Sequence, residues 1–351
     1  MNNKNPQNIL IIRTDRIGDV ILSIPLAEII KKHYPNCKVS FFVNEYTKDL
    51  LLNHPYIDQT ITIIEGKSGF KIFDNVELLR KYDFDVALVL YPTFKISLIS
   101  FLSGIKKRIG TGYRLYSFLF TDKIYEHRKK SLKHEIEYNF TLLKSIGIDF
   151  NAGINNVKFN LNVSENALSK IEKLFIDKGI SNDEKIIIIH PGSGGSAVDL
   201  PIEKFKEIVK LLNETDIKIL ITGNKSETYI CKELILNENV FDFSGLLTLE
   251  ELVALISKST LLIANSTGPL HIAAALGKYV FGFYPKIKSC SVNRWGPYTE
   301  KKFIYEPELD CNNCNRKQCE ELNCMNYINI KKVIDDIKKL LSNKLENPNV
   351  K

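Results

Sequence analysis

The stretch Arg13-Thr14-Asp15-Arg16-Ile17-Gly18-Asp19 separates a buried run, Ile9–Ile12, from a helical pattern rich in Ile, Leu and Val. Asp19 falls in the first turn of that helix, where the dipole favours a carboxylate that can accept a proton from an incoming hydroxyl. A plain helix cap is the competing role. Gly18 suits a chain turning sharply into a helix, through a positive φ or a close backbone approach. A second stretch, Pro191-Gly192-Ser193-Gly194-Gly195-Ser196, follows the run Lys185–Ile189 and precedes a helix starting near Pro201. Its N–H groups and hydroxyls can wrap a phosphate. Its spacing is neither a Walker A loop nor a GxGxxG fingerprint.

Two further strand-to-helix loops share this character. In Thr222-Gly223-Asn224-Lys225-Ser226-Glu227, Gly223 turns the chain and the Glu227 carboxylate could reach a ribose hydroxyl, although a turn with a helix cap explains the same residues. In Asn265-Ser266-Thr267-Gly268-Pro269-Leu270-His271, the Ser266 and Thr267 hydroxyls and the N–H groups around Gly268 could bind a diphosphate without a metal. His271 is either a satisfied core histidine or an acid or ligand of that site. Four of the seven cysteines, Cys311, Cys314, Cys319 and Cys324, are spaced C-x2-C-x4-C-x4-C. This points away from disulfides and toward thiolate ligation of zinc or an iron–sulfur cluster, with reduced thiols packed in a small lobe as the alternative. Cys37, Cys231 and Cys290 read as isolated buried thiols.

The elements that must position these loops alternate. Strand signals at Ile9–Ile12, Lys38–Val43, Ile61–Ile64 and Asp85–Leu90 are separated by helical patterns, as are Lys185–Ile189, Ile217–Ile221, Leu261–Ala264 and Tyr279–Phe283. That is the pattern of βαβ units and parallel sheets. With 351 residues, the chain fits two domains of ordinary size. The boundaries read as residues 1–160, a linker and helix over 161–182, a second domain over 183–328 that contains the cysteine segment 311–324, and an amphipathic helix and tail over 329–351. In two-domain proteins such a final helix often crosses back to the first domain. Strand ends that open into helices are where open α/β sheets bind ligands, so the loops predict a cleft between two Rossmann-like domains.

The chain carries 48 Lys and Arg against 41 Asp and Glu, a formal net charge of +7 that favours anionic partners or describes an ordinary solvated surface. The polar start and the charges at Arg13, Asp15 and Arg16 argue against a signal peptide and for the cytoplasm. Val86–Ile105 is interrupted by Pro92 and Lys95, which argues against a spanning helix. Its helical part, Phe94–Gly104, ends in Lys106, Lys107 and Arg108. It packs on its own sheet or touches a bilayer surface.

Together RTDRIGDVILSIP at 13–25, RIGTGYR at 108–114, HPGSGG at 190–195, TGNKSE at 222–227, NSTGPLHIAAALG at 265–277 and the cysteine segment at 311–325 resemble glycosyltransferase family 9, the ADP-heptose:lipopolysaccharide heptosyltransferases. The likeness runs from about residue 8 to 340. It implies an α/β GT-B fold with two Rossmann-like domains facing each other across a cleft, an N-terminal acceptor domain, a C-terminal nucleotide-sugar domain, and inversion at the anomeric carbon. Asp19 matches the catalytic base. The Gly192–Ser196 and Ser266–Gly268 loops would stabilise the ADP leaving group in place of a metal, so no cofactor is required beyond the ADP-sugar donor. Glu227 matches a position near the ribose, and Gly223 and His271 belong to the same donor loops. Arg16, Arg108 and Arg114, with Gly18, would hold acceptor carboxylates or phosphates.

Two positions depart from the family pattern. Val198 replaces a Lys near the diphosphate, so another basic group must substitute, and Ser266 replaces an Asp. The expected partners are a nucleotide sugar, a lipopolysaccharide or other glycolipid acceptor, and peripherally the inner face of the cytoplasmic membrane, with no nucleic acid. A sugar-nucleotide epimerase of similar fold and a non-catalytic nucleotide-sugar-binding protein are the alternatives.

Overall fold

The computed structural model describes residues 5–67, 69–212, 217–311 and 314–346. The residues expected to form the extreme tail, 347–351, and the polar start, 1–4, lie outside these. The chain divides into two compact units, Met1–Asn162 and Val163–Lys351.

In the first unit the strands are β1 (Asn8–Ile12), β2 (Lys38–Val43), β3 (Gln59–Thr62), the small antiparallel pair β4 (Glu65–Gly66) and β5 (Gly69–Phe70), β6 (Val86–Val89), β7 (Lys107–Thr111) and β8 (Asp122–Ile124). Six of them form a parallel sheet in the order β3-β2-β1-β6-β7-β8. Its connections include α1 (Ile17–Ile21), α2 (Pro25–His33), α3 (Ile72–Arg80) and α4 (Phe94–Leu102), and α5 (Glu135–Phe140) follows the last strand. β1 and β6 are the central strands and read as continuous apolar runs because both sheet faces are covered.

In the second unit α6 (Glu165–Asp177) precedes β9 (Ile186–His190), α7 (Ile202–Leu212), β10 (Lys218–Ile221), α8 (Thr228–Lys232), β11 (Val240–Asp242), α9 (Leu249–Lys258), β12 (Leu261–Asn265), α10 (Gly268–Ala275), β13 (Tyr279–Phe283), α11 (Val292–Trp295), β14 (Lys302–Tyr305), α12 (Arg316–Glu321) and α13 (Ile330–Glu346). The parallel sheet runs β11-β10-β9-β12-β13-β14, the same order as in the first unit. In each sheet the winding reverses beside the first strand, between β1 and β6 and between β9 and β12. Ligand crevices of open α/β sheets form outside the strand ends at such points.

The helical part of the segment over 161–182 is α6: Ser164 caps it by accepting from the Ala167 N–H, Ile171 and Phe175 are fully buried, and Phe175 packs edge-on against Phe243. The final helix packs on α7. Ile330, Val333, Ile334, Ile337 and Leu341 join Phe205, Ile208 and Val209 in the core of the second unit, because that sheet face would otherwise be uncovered.

Candidate active site

Arg13, at the end of β1, is 2% exposed, yet carries a full guanidinium into the protein. Such a charge is tolerated only where it is paired. Its Nη2 is ion-paired with Asp19, its Nε lies 2.8 Å from Asp15 Oδ1, and Glu135 Oε1 lies 3.4 Å away. The contact with Asp15 is electrostatic only, since neither atom is in hydrogen-bond alignment. Arg128 pairs with the same Oε1 of Glu135. Burial pulls the guanidinium's pKa down, but Asp15, Asp19 and Glu135 outweigh it and hold Arg13 above its ordinary value. Burial moves the Asp15 carboxyl the opposite way, well above the carboxylate range, with Arg13 opposing and Asp19 reinforcing.

Asp19 sits in the first turn of α1, 14% exposed, and its backbone carbonyl accepts from the Ser23 hydroxyl at 2.7 Å. The residue fixing it, Arg13, was read from sequence only as part of the loop. Gly18 lies inside α1 without a positive φ, so the left-handed turn offered as one reason for glycine is not formed. Arg16 flanks α1 as its exposed first cap residue. Arg114 precedes the 3-10 turn Leu115–Leu119 and is exposed. Arg108 is committed to its own backbone: its Nε donates to the Leu119 carbonyl at 2.8 Å and its Nη1 to that of Ile105.

In the second unit the three phosphate-type loops follow β9, β10 and β12, adjacent strands of one sheet. Asn265 joins two of them. Its Nδ2 donates to the Pro191 carbonyl at 2.6 Å, and its Oδ1 accepts from the Leu200 N–H at 2.9 Å, so one buried amide fixes both ends of the Gly192–Ser196 loop. Glu227 joins the third. Its Oε1 accepts from the Gly194 N–H at 3.1 Å and its Oε2 from the Asn224 N–H at 2.9 Å. A Cβ at Gly192 would overlap that carboxylate, which is why the position is glycine. Gly194 and Gly195 have positive φ and need glycine for that reason. A Cβ at Gly223 would meet Cys231 Sγ at 2.7 Å.

His190, ending β9, holds Thr222 Oγ1 at 3.0 Å from Nδ1, and burial lowers its pKa to about 4 against the pull of Glu227. Ser266 and Thr267 are buried at the start of α10, with Ser266 hydrogen-bonded to Tyr284, and His271 is buried within that helix. Ser193 is buried, and Ser196 closes the loop by donating its N–H to the Ser193 carbonyl.

Val198, where a Lys was expected, is packed in the apolar core. A cation stands beside it all the same. Arg316, which opens α12 in the cysteine segment, donates from Nη1 to the Gly195 carbonyl at 2.9 Å and from Nη2 to that of Ala197 at 3.0 Å, with Glu320 on its Nε. Sequence reasoning missed Arg316 because nothing local marks it. The cysteines around it are free thiols, and among the described residues no group of three or more His, Cys, Asp or Glu side chains is arranged to hold a metal. Cys319 and Cys324 belong to the core, and burial, then Cys324, pushes the Cys319 thiol up to about 12, which favours its protonated form.

The model of glycosyltransferase family 9 (heptosyltransferase) matches residues 73–325. A putative glycosyltransferase of Haemophilus influenzae is 28% identical over 84% of this chain and 87% of its own. A family 9 glycosyltransferase from Veillonella parvula superposes with a TM-score of 0.81 at 18% identity, covering 96% of this chain and 97% of that one. The ADP-heptose lipopolysaccharide heptosyltransferase II of E. coli does so with a TM-score of 0.76 at 21% identity, over 96% and 99%. These likenesses show the GT-B fold. With two sheets of one winding order, an acidic residue fixed at the switch point of the first and three small-residue loops at that of the second, the chain belongs to glycosyltransferase family 9, the heptosyltransferase family, and is a glycosyltransferase.

Proposed function

We propose that the enzyme transfers heptose, or a closely related sugar, from ADP-heptose to a lipopolysaccharide-core acceptor with inversion. The acceptor oxygen bonds to the anomeric carbon as its proton passes to Asp19. The bond from that carbon to the diphosphate oxygen breaks, and ADP leaves with the electron pair. N–H groups and hydroxyls of the Gly192–Ser196 and Ser266–Gly268 loops receive the growing negative charge, and Arg316 supplies the positive charge that Val198 does not. Glu227 orders the donor loop and faces the ribose. In this reading Arg16 and Arg114 hold acceptor anions, and Arg108 shapes the strand that precedes Arg114.

The observation that carries the reading is the buried Arg13 side chain, which orients Asp19 at the switch point of the first sheet. The relatives' names support the donor and the acceptor. The test is incubation of purified protein with ADP-heptose and heptose-deficient lipopolysaccharide, followed by mass spectrometry of the acceptor. A one-heptose gain that Asp19→Asn abolishes while ADP-heptose still binds is expected. Transfer by that variant at a near-normal rate would remove Asp19 as the base, and no gain with wild type would overturn the donor or the acceptor.

A further inference from the structure

The Asp15 side chain is not needed by the loop that carries it. Asn44 Nδ2 donates to the Thr14 carbonyl at 3.0 Å and the Tyr46 hydroxyl to the Asp15 carbonyl at 2.5 Å, so the loop is held through its backbone. An aspartate at a helix start commonly caps it, yet Arg16 holds the cap position of α1 and Asp15 stands one residue outside. Its carboxyl turns inward instead. It is 12% exposed, lies 2.8 Å from Arg13 Nε, and is hydrogen-bonded to the Asp19 carboxyl. Its Oδ1 is buried and takes no hydrogen bond from the described residues.

The charges around this pair do not balance. Arg13 from the end of β1 faces Asp15 and Asp19, while Glu135 from α5 is answered by Arg128 as well as by Arg13. The other titratable groups facing the pair are Tyr46 and Arg16. Setting the Arg128–Glu135 ion pair aside as neutral, one guanidinium holds two aspartates. With both ionised the trio carries one net negative charge, and with a single proton it carries none. A buried site favours the second state, and two carboxyls can hydrogen-bond to each other only when one of them keeps a proton. Burial acts on Asp15 in the same direction.

This matters for the base. A carboxylate paired with a guanidinium alone is a poor proton acceptor, because the cation stabilises its ionised form. We propose that Asp15 is the positioning residue that makes Asp19 an effective base: the two carboxyls share one proton site across Arg13, and the charge of Asp15 draws the acceptor's proton onto Asp19. The inference rests on the transfer reading above. In the reactive state both aspartates are ionised. As the acceptor O–H bond breaks, its electron pair forms the bond to the anomeric carbon and its proton comes to Asp19, which then donates to Asp15. The trio passes from one negative charge to none, and the proton returns to solvent after the product leaves.

The first measurement is the pH profile of kcat/KM with ADP-heptose and heptose-deficient lipopolysaccharide. Wild type should show an acid limb above the ordinary carboxylate range. In Asp15→Asn the limb should move about one pH unit or more toward acid, and the rate above it should fall about tenfold or more, with the KM for the donor unchanged. Asp15→Glu, which restores the charge, should bring the limb back toward wild type. A structural role alone would lower the rate alike at every pH and leave the limb in place, and that result would overturn the proposal. The second measurement needs no transfer. Infrared spectra of the full chain at neutral pH should contain a protonated-carboxyl band that is missing from both Asp15→Asn and Asp19→Asn, with thermal melts confirming that these isosteric variants fold. A band that survives in either variant, or one that wild type lacks, would overturn the shared proton. Should wild type add no heptose, the transfer reading fails while the infrared result still decides the pair.

Discussion

Glu135 reaches across 122 residues of sequence to place one oxygen 3.4 Å from both terminal nitrogens of Arg13. The start of α5 is thereby tied to the end of β1, and the same guanidinium holds Asp19. Removing the cation leaves the Asp19 carboxylate without its buried partner and takes one of two cations from Glu135. Arg13→Met should therefore cost about 3–5 kcal/mol in urea unfolding at neutral pH, and transfer should fall with it. Glu135→Gln, which keeps a hydrogen-bond acceptor, should cost less.

Asn265 is expected to matter as much for the second unit. Asn265→Ala leaves the Pro191 carbonyl and the Leu200 N–H without their buried partner. At about 1–3 kcal/mol for each of the two abandoned groups the loss is about 2–6 kcal/mol. Calorimetry of ADP binding should show weaker affinity than the change in melting alone explains, because both ends of the glycine loop are released.

Gly192→Ala and Glu227 are predicted to be coupled. The new methyl expels the Glu227 carboxylate and breaks its bonds to Gly194 and Asn224, so Gly192→Ala and Glu227→Ala should each lose about 1–2 kcal/mol, and the double variant little more than either alone. Strict additivity in a double-mutant cycle would show that the two residues do not communicate.

Arg316→Ala should raise the KM for the donor several-fold with a smaller effect on melting, since this residue braces two carbonyls of the loop from a half-exposed position. Arg316→Lys should not restore it. An ammonium is a point charge and cannot span Gly195 and Ala197 as the planar fork does.

The buried His190 sets a pH dependence with a definite sign. Folding lowers its pKa from 6.5 to about 4, so between those values the unfolded chain binds a proton that the native state refuses. Its contribution is whole above pH 6.5 and is lost as pH falls toward 4, at most about 3 kcal/mol. The stability difference between wild type and His190→Gln, followed by urea unfolding from pH 7 to pH 4, should shrink by up to that amount. A constant difference would mean that the imidazole charges freely in the fold.

The central strands and the loops after them were legible because a buried parallel strand is an apolar run and its loop begins where that run stops. Lys107–Thr111, Asp122–Ile124, Val240–Asp242 and Lys302–Tyr305 were not. They lie beyond the central strands, are short or partly polar, and take their extended form from the neighbour they pair with. The site divides in the same way. Asp19, Gly192 and Glu227 sit in loops that announce themselves locally, while Glu135 and Arg316 act on loops more than a hundred residues away. No spacing rule reaches that far.

The placement of α13 governs the order in which the molecule can be made. Every strand of the first sheet has been synthesised once Ile124 is joined, and that unit closes by Asn162, so it can fold while translation continues. The second cannot: Phe205 and Val209 stay incompletely covered until Val333, Ile337 and Leu341 have been made, more than a hundred residues later. A nascent chain halted between those points would carry one finished half and one sticky half, the state in which a chaperone would be needed.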